Sequence, residues 1–157
     1  MTDAVGQHIN RLRVVDAAML ASVAVYGAVV HLSLRPSSPP LSQGEHFLWI
    51  FAAISVLNLV SIMPVYRAML SGPRRVFAAG RQVEVLLSAH FSAHVVALAR
   101  LEAVALFGLA LFFLTGRVDW FWIFAGIAAV GLIFLWPQHA KVDALIGEAA
   151  RGSATGL

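Results

Sequence analysis

The sequence predicts an all-α membrane protein: four transmembrane helices arranged as two tandem hairpins related by a parallel repeat. Three observations predict it. Of 157 residues, 60% are hydrophobic and only 12% charged, with a mean hydropathy of +0.82; a soluble domain of this size could not hide so much apolar surface. Four apolar runs each approach the roughly 20 residues needed to cross ~30 Å of hydrocarbon. The second pair of runs repeats the first.

The runs occupy residues 14–34, 47–66, 95–115 and 118–137. The first is longer than the apolar core of a secretory signal and ends in "HLSLRPSSPP", which has no small-x-small cleavage site, so a retained first span is expected. Pro64 and Pro137 fall where the second and fourth spans end, a tolerable place for a helix breaker. Trp49, Trp120 and Trp122 at one boundary and Tyr66 and Trp136 at the other form aromatic belts. Pro73 is expected to begin a polar helical stretch running into the third span, and the tail "EAARGSATGL" has little to fold around. The chain therefore divides into a first hairpin (1–70), an amphipathic connector (71–94), a second hairpin (95–141) and a tail (142–157).

Orientation follows from Lys and Arg. Arg11, Arg13, Arg67, Arg74, Arg75, Arg81, Arg100, Lys141 and Arg151 fall on one side of these spans, and Arg35 and Arg117 on the other. The positive-inside rule then places both termini and the connector in the cytoplasm. The pI near 10.2 is explained by this topology and by anionic lipid headgroups, with no nucleic-acid partner required. The Ala-, Val- and Arg-rich texture points to a bacterial plasma or inner membrane. The chain has no cysteine, which excludes thiolate metal sites, iron–sulfur clusters, disulfides and cysteine nucleophiles.

The second and fourth spans align without a gap, and the first and third align less obviously at a different offset. "FLWIFAAISVLNLVSIMPVYR" over "WFWIFAGIAAVGLIFLWPQHA" aligns Trp49 with Trp122, Phe51 with Phe124, Ala52 with Ala125 and Pro64 with Pro137. "HINRLRVVDAAMLASVA" over "HVVALARLEAVALFGLA" aligns His8 with His94, Asp16 with Glu102 and Ser22 with Gly108. The first outer loop, "RPSSPPLSQGEH", is longer than the tight "TGRVD" turn of the second hairpin, so the two alignments have different offsets. Both hairpins enter from the same side, which makes the repeats parallel, related by a pseudo-two-fold along the membrane normal.

The repeat singles out the acids. His8, Leu12, Asp16 and Leu20, and likewise His94, Leu98, Glu102 and Leu106, recur every four residues and form one slowly drifting helical stripe. Glu102 lies twelve residues before Leu114, hence ~18 Å below the outer boundary and about 10 Å inside the inner one. A charge in the bilayer centre costs about 2–3 kcal/mol, so the carboxyl is expected to face protein or water. Two readings stay open. Arg100 and Arg13 neutralise Glu102 and Asp16 and lock the hairpins together, or Glu102, with Asp16 as its counterpart, binds a proton or cation.

The phrase "LEAVALFGLALFFL", with its carboxylate followed by small and apolar residues inside a duplicated hairpin, resembles the ion-carrying helix of the rotary-ATPase proteolipid (subunit c) family. That resemblance implies an ion-carrying role for Glu102 and assembly into an oligomeric ring. The family carries its acid on the second helix of a hairpin and has a glycine-rich first helix; here both acids lie on the first. The chain also resembles small four-span bacterial membrane proteins.

Other sites are weaker. His90 and His94, spaced i, i+4, share a helical face and could join Glu84 or Glu102 around a metal, which a membrane enzyme would require. His31 and His46, near the outer ends of the first two spans, are candidate haem ligands. Ala17, Ala21, Ala24 and Ala28, with Ala125 and Ala129, are stripes that let helices approach closely, and Asn58 is a candidate interhelical donor. No P-loop, dinucleotide motif, nucleophile elbow or triad appears. The favoured class is a non-enzymatic membrane subunit, structural or proteolipid-like, with no cofactor of its own and with copies of itself or a larger complex as partner. A haem- or quinone-binding subunit of a redox complex is the alternative.

Overall fold

The computed structural model describes residues 2–33, 44–80 and 83–152. The loop that carries Arg35, the connector residues 81 and 82 and the last five residues lie outside them. Five helices follow in order: α1 (Thr2–Leu32), α2 (Gly44–Gly80), α3 (Val83–Thr115), α4 (Val118–Leu135) and α5 (His139–Gly152). The first four are each long and apolar enough to cross a membrane, and the protein is a multi-pass helical membrane protein.

α3 is the most buried of the four candidate spans. Its most apolar stretch is 44% buried, against 6% for α2, so α2 presents most of its surface outward. Trp49, Leu57 and Val60 on α2 and Val130 and Phe134 on α4 are exposed, as expected of side chains whose solvent is lipid rather than water.

The chain forms two compact units. The first holds residues 1–15, 62–97 and 136–157. Its core is Leu70 and Phe77 of α2, Leu86 and Ala93 of α3, and Leu145 and Ala149 of α5. Val5 and Ile9 of α1 meet Leu87 and Val142 beside it. An Arg74–Glu148 pair at 3.4 Å ties α2 to α5 at the surface.

The second unit holds residues 16–61 and 98–135. Contacts here run in opposite order along neighbouring helices. Phe51 stacks on Phe107 while Arg100 meets Ser61, so α2 and α3 are antiparallel. Gly108 faces Phe121 and Phe124 while Leu101 faces Gly131, so α3 and α4 are antiparallel too. The turn between them is tight, as its sequence predicts. Gly116 takes a left-handed φ of 69° and donates its N–H to Phe112 O at 2.8 Å, closing the end of α3. Asp119 in the first turn of α4 pairs with Arg117, whose guanidinium lies 4.7 Å over the Trp120 ring.

Three local expectations are corrected. α2 does not stop at Pro64, nor does a helix begin at Pro73, because both prolines lie inside one 37-residue helix. Each proline removes one N–H and leaves one carbonyl four residues earlier without its partner, a cost that membrane helices tolerate. The aligned Pro137 does break its helix: residues 136–138 are irregular, and Gln138 O accepts from Lys141 and Val142 to start α5. Residues 142–152 are not a featureless tail, because Val142, Leu145 and Ala149 recur at helical spacing and bury that face of α5 in the first unit.

Candidate functional site

The second unit holds the intramembrane carboxyl of Glu102. On α3, Leu98, Leu101 and Ala105 surround it in sequence and are buried, which sets the rotation of the helix and leaves Glu102 half-buried on the inward side. Its partners come from α1. Ser22 and Tyr26, four residues apart and so on one helical face, each place a hydroxyl 2.7 Å from the same carboxyl oxygen, Oε1. Ser22 Oγ also lies 2.7 Å from the backbone carbonyl of Met19, one turn earlier. A carboxyl drawn to two hydroxyls inside a span has its polar needs met by protein rather than by lipid.

Arg100, offered by the sequence as a charge partner of Glu102, is turned toward α2. Two residues along a helix turn the side chain by about 200°, so the guanidinium and the carboxyl leave α3 on different sides. Arg100 donates instead to Ser61 Oγ on α2, and Ser61 donates to Asn58 O at 2.9 Å. Asn58 thus takes part through its backbone carbonyl. Arg13 is exposed on α1, and Asp16, the sequence counterpart of Glu102, is fully buried. The two acids therefore occupy unlike environments although they occupy like positions in the alignment.

The histidines form a separate cluster in the first unit. His8, His90 and His94 are all buried. His8 Nε2 and His90 Nδ1 lie 2.9 Å apart, so one nitrogen must carry the hydrogen and the other must not. The His90 and His94 rings stack at 6.1 Å, as their i, i+4 spacing predicts, and Tyr66 meets His90 edge-on at 6.0 Å. Among the described residues no group of three or more His, Asp or Glu side chains could hold a metal ion. His31 and His46 are exposed.

His31 lies at the end of an apolar groove of about 670 Å³ in the second unit, lined by Leu20, Ala24 and Ala28 of α1 and by Trp122, Ala125 and Ala129 of α4. Ala17, Ala21, Ala24 and Ala28 are exposed, and Ala24 and Ala28 form the α1 wall of this groove. α3 and α4, by contrast, use their small residues on each other. A Cβ on Gly108 would stand 2.7 Å from Phe124 Cβ, and one on Gly131 2.5 Å from Leu101 Cδ2.

The amino-acid sequence singles out Glu102 but not its partners. Ser22 is visible there only as a small residue and Tyr26 not at all, because each lies more than seventy residues from Glu102 along the chain. The one available signal is that Ser22 and Tyr26 are spaced i, i+4 in a span that is otherwise almost wholly apolar. No family model, no curated protein and no solved structure matches this chain.

Proposed function

We propose that this protein is a non-enzymatic membrane subunit in which Glu102 binds a proton or a cation, and that it works as an assembly of several copies or as part of a larger membrane complex. The observation that carries the reading is the pair of hydroxyl bonds from Ser22 and Tyr26 to Glu102, made while the nearest arginine on the same helix is engaged by Ser61. An acid kept only to lock helices together would pair best with that arginine. One surrounded by reorientable hydroxyls can exchange an ion without leaving a bare charge in the span.

The role falls on Glu102 rather than on Asp16, since Glu102 is half-buried and Asp16 fully buried. Assembly is supported by the exposed alanine stripe on α1 and the apolar groove beside it, surfaces on which a neighbouring helix could approach closely. Descent from a duplicated hairpin is supported by the aligned acids and by Pro64 and Pro137. An excess of Lys and Arg on one side supports cytoplasmic termini in a bacterial plasma membrane.

Reaction of the purified protein with a dicyclohexylcarbodiimide-type reagent, with the adduct located by mass spectrometry, tests the ion site. Selective modification of Glu102 that falls as pH rises or as a competing cation is added is the expected result. Reaction at Glu102 no greater than at the exposed Asp3, Glu45 and Glu148, and indifferent to pH and cations, would leave the carboxyl a structural group only.

A further inference from the structure

A second cavity lies in the first unit, away from Glu102. Its volume is about 320 Å³, at the lower end of the range of small-ligand sites. One wall is α1, with His8 and Arg11, and the other is α3, with Glu84, Leu87, Ser88 and Phe91. On each helix these residues lie three or four apart, so each wall is a single helical face. Leu87 is buried, and Phe91 is half-buried and edge-on to the buried His8 ring at 6.4 Å. They give the cavity an apolar floor. Its rim carries opposite charges that do not neutralise each other. Arg11 and Glu84 are both exposed and make no ion pair with one another, and Glu84 accepts no hydrogen bond from any described residue.

The charges are also ordered in depth. Arg11 stands three residues before the apolar run that begins at residue 14, roughly 5 Å along the helix axis. Ser88 stands seven residues before the run that begins at 95, roughly 10 Å, and Glu84 one turn further out. The cation is thus next to the hydrocarbon and the acid on the aqueous side of it. A phospholipid with an aminoethyl headgroup has the matching order, because its phosphate is joined to the glycerol at the hydrocarbon boundary and its ammonium lies beyond. The match holds in either leaflet, so it does not depend on which side the termini face.

We propose that this cavity binds the headgroup of a phospholipid that carries a primary ammonium, with Arg11 on the phosphate and Ser88 and Glu84 on the ammonium. A guanidinium offers paired N–H donors that fit phosphate oxygens. A primary ammonium has three hydrogens to donate, and a hydroxyl and a carboxylate accept them. A choline headgroup has no N–H to donate. A glycerol headgroup leaves Glu84 without a partner and brings a net negative charge toward it. The floor of Leu87 and Phe91 keeps water from one side of both contacts, which strengthens them. The site stands on residues of the first unit alone, whatever ion Glu102 takes in the second.

Native mass spectrometry of the delipidated full chain in detergent, offered equal amounts of phosphatidylethanolamine, phosphatidylcholine and phosphatidylglycerol with the same acyl chains, reads the choice of headgroup. The first lipid bound is expected to be phosphatidylethanolamine, preferred roughly tenfold, the effect of one charge-assisted hydrogen bond. Glu84→Gln is expected to abolish that preference and Glu84→Asp to keep it. Arg11→Gln is expected to weaken phosphatidylethanolamine binding by a similar factor. Both positions are exposed, so these variants keep the fold, which circular dichroism checks. Equal binding of the three lipids, or a preference that Glu84→Gln leaves intact, overturns the site. A preference of the unaltered chain for phosphatidylglycerol overturns the ammonium contact and with it the proposal. Displacement of the lipid by free phosphoethanolamine at equal concentration overturns the lipid as the occupant and makes the ligand a soluble one.

Discussion

At the scale of single residues, the second unit is a contest between hydrogen bonding and lipid. Glu102 is satisfied by two hydroxyls, and removing one should be felt as a lost buried bond to a polar group. Tyr26→Phe keeps the ring and deletes the bond, so it is expected to lower stability by about 0.5–1.5 kcal/mol, read as the midpoint of SDS-induced unfolding in mixed micelles. An unchanged midpoint would mean that the Tyr26 hydroxyl is not bonded in the folded protein. Ser55 is the converse case. Its Oγ is buried on α2 with no hydrogen-bond partner among the described residues. An unsatisfied buried hydroxyl is costly, and Ser55→Ala is expected to leave the midpoint unchanged or to raise it by up to about 1 kcal/mol. A clear loss of stability in that variant would reveal a bond the serine makes.

At the scale of helices, α3 and α4 touch closely where glycine allows it. A Cβ at Gly108 would lie 2.7 Å from Phe124 Cβ and 3.1 Å from Phe121 O, so the neighbour it meets includes backbone, which cannot swing aside. Gly108→Ala is therefore expected to push the two helices apart and cost about 1–3 kcal/mol in the same assay. Gly126 on α4 has nothing within 4 Å of the position its Cβ would take. Gly126→Ala is the matched control and should be neutral or slightly stabilising. Equal losses in the two variants would show that α3 and α4 do not meet at Gly108. Helix ends obey a similar logic: Pro64 is passed by α2 and Pro137 is not by α4, although the two prolines align. A proline lowers the cost of stopping a helix without deciding that it stops.

At the scale of the whole molecule, the distribution of Arg and Lys makes a topological prediction. A chain without cysteine allows single-cysteine variants to be read with no background thiol. Arg75→Cys, Lys141→Cys and Arg117→Cys all replace exposed side chains. With an impermeant maleimide, Arg117→Cys is expected to react in intact cells, and Arg75→Cys and Lys141→Cys only in disrupted or inverted membranes. Labelling of all three from one side would overturn the four-span topology. The reverse pattern would keep the spans and invert the protein.

Much of this protein is legible in its amino-acid sequence. Hydropathy and length alone determine that it is helical, that it has four spans and that its second hairpin closes on a tight turn around Gly116, because each span is a local property of about 20 residues. Glu102 stands out for the same reason, as a costly residue in an apolar run. What only the tertiary structure decides is who meets whom. It joins Glu102 to Ser22 and Tyr26 and Arg100 to Ser61, turns His8 onto His90, carries α2 through two prolines, and finds for α5 an apolar face to cover. These depend on the rotation of each helix about its axis and on partners dozens of residues away, and a one-dimensional pattern of apolar and polar residues carries the first only loosely and the second not at all.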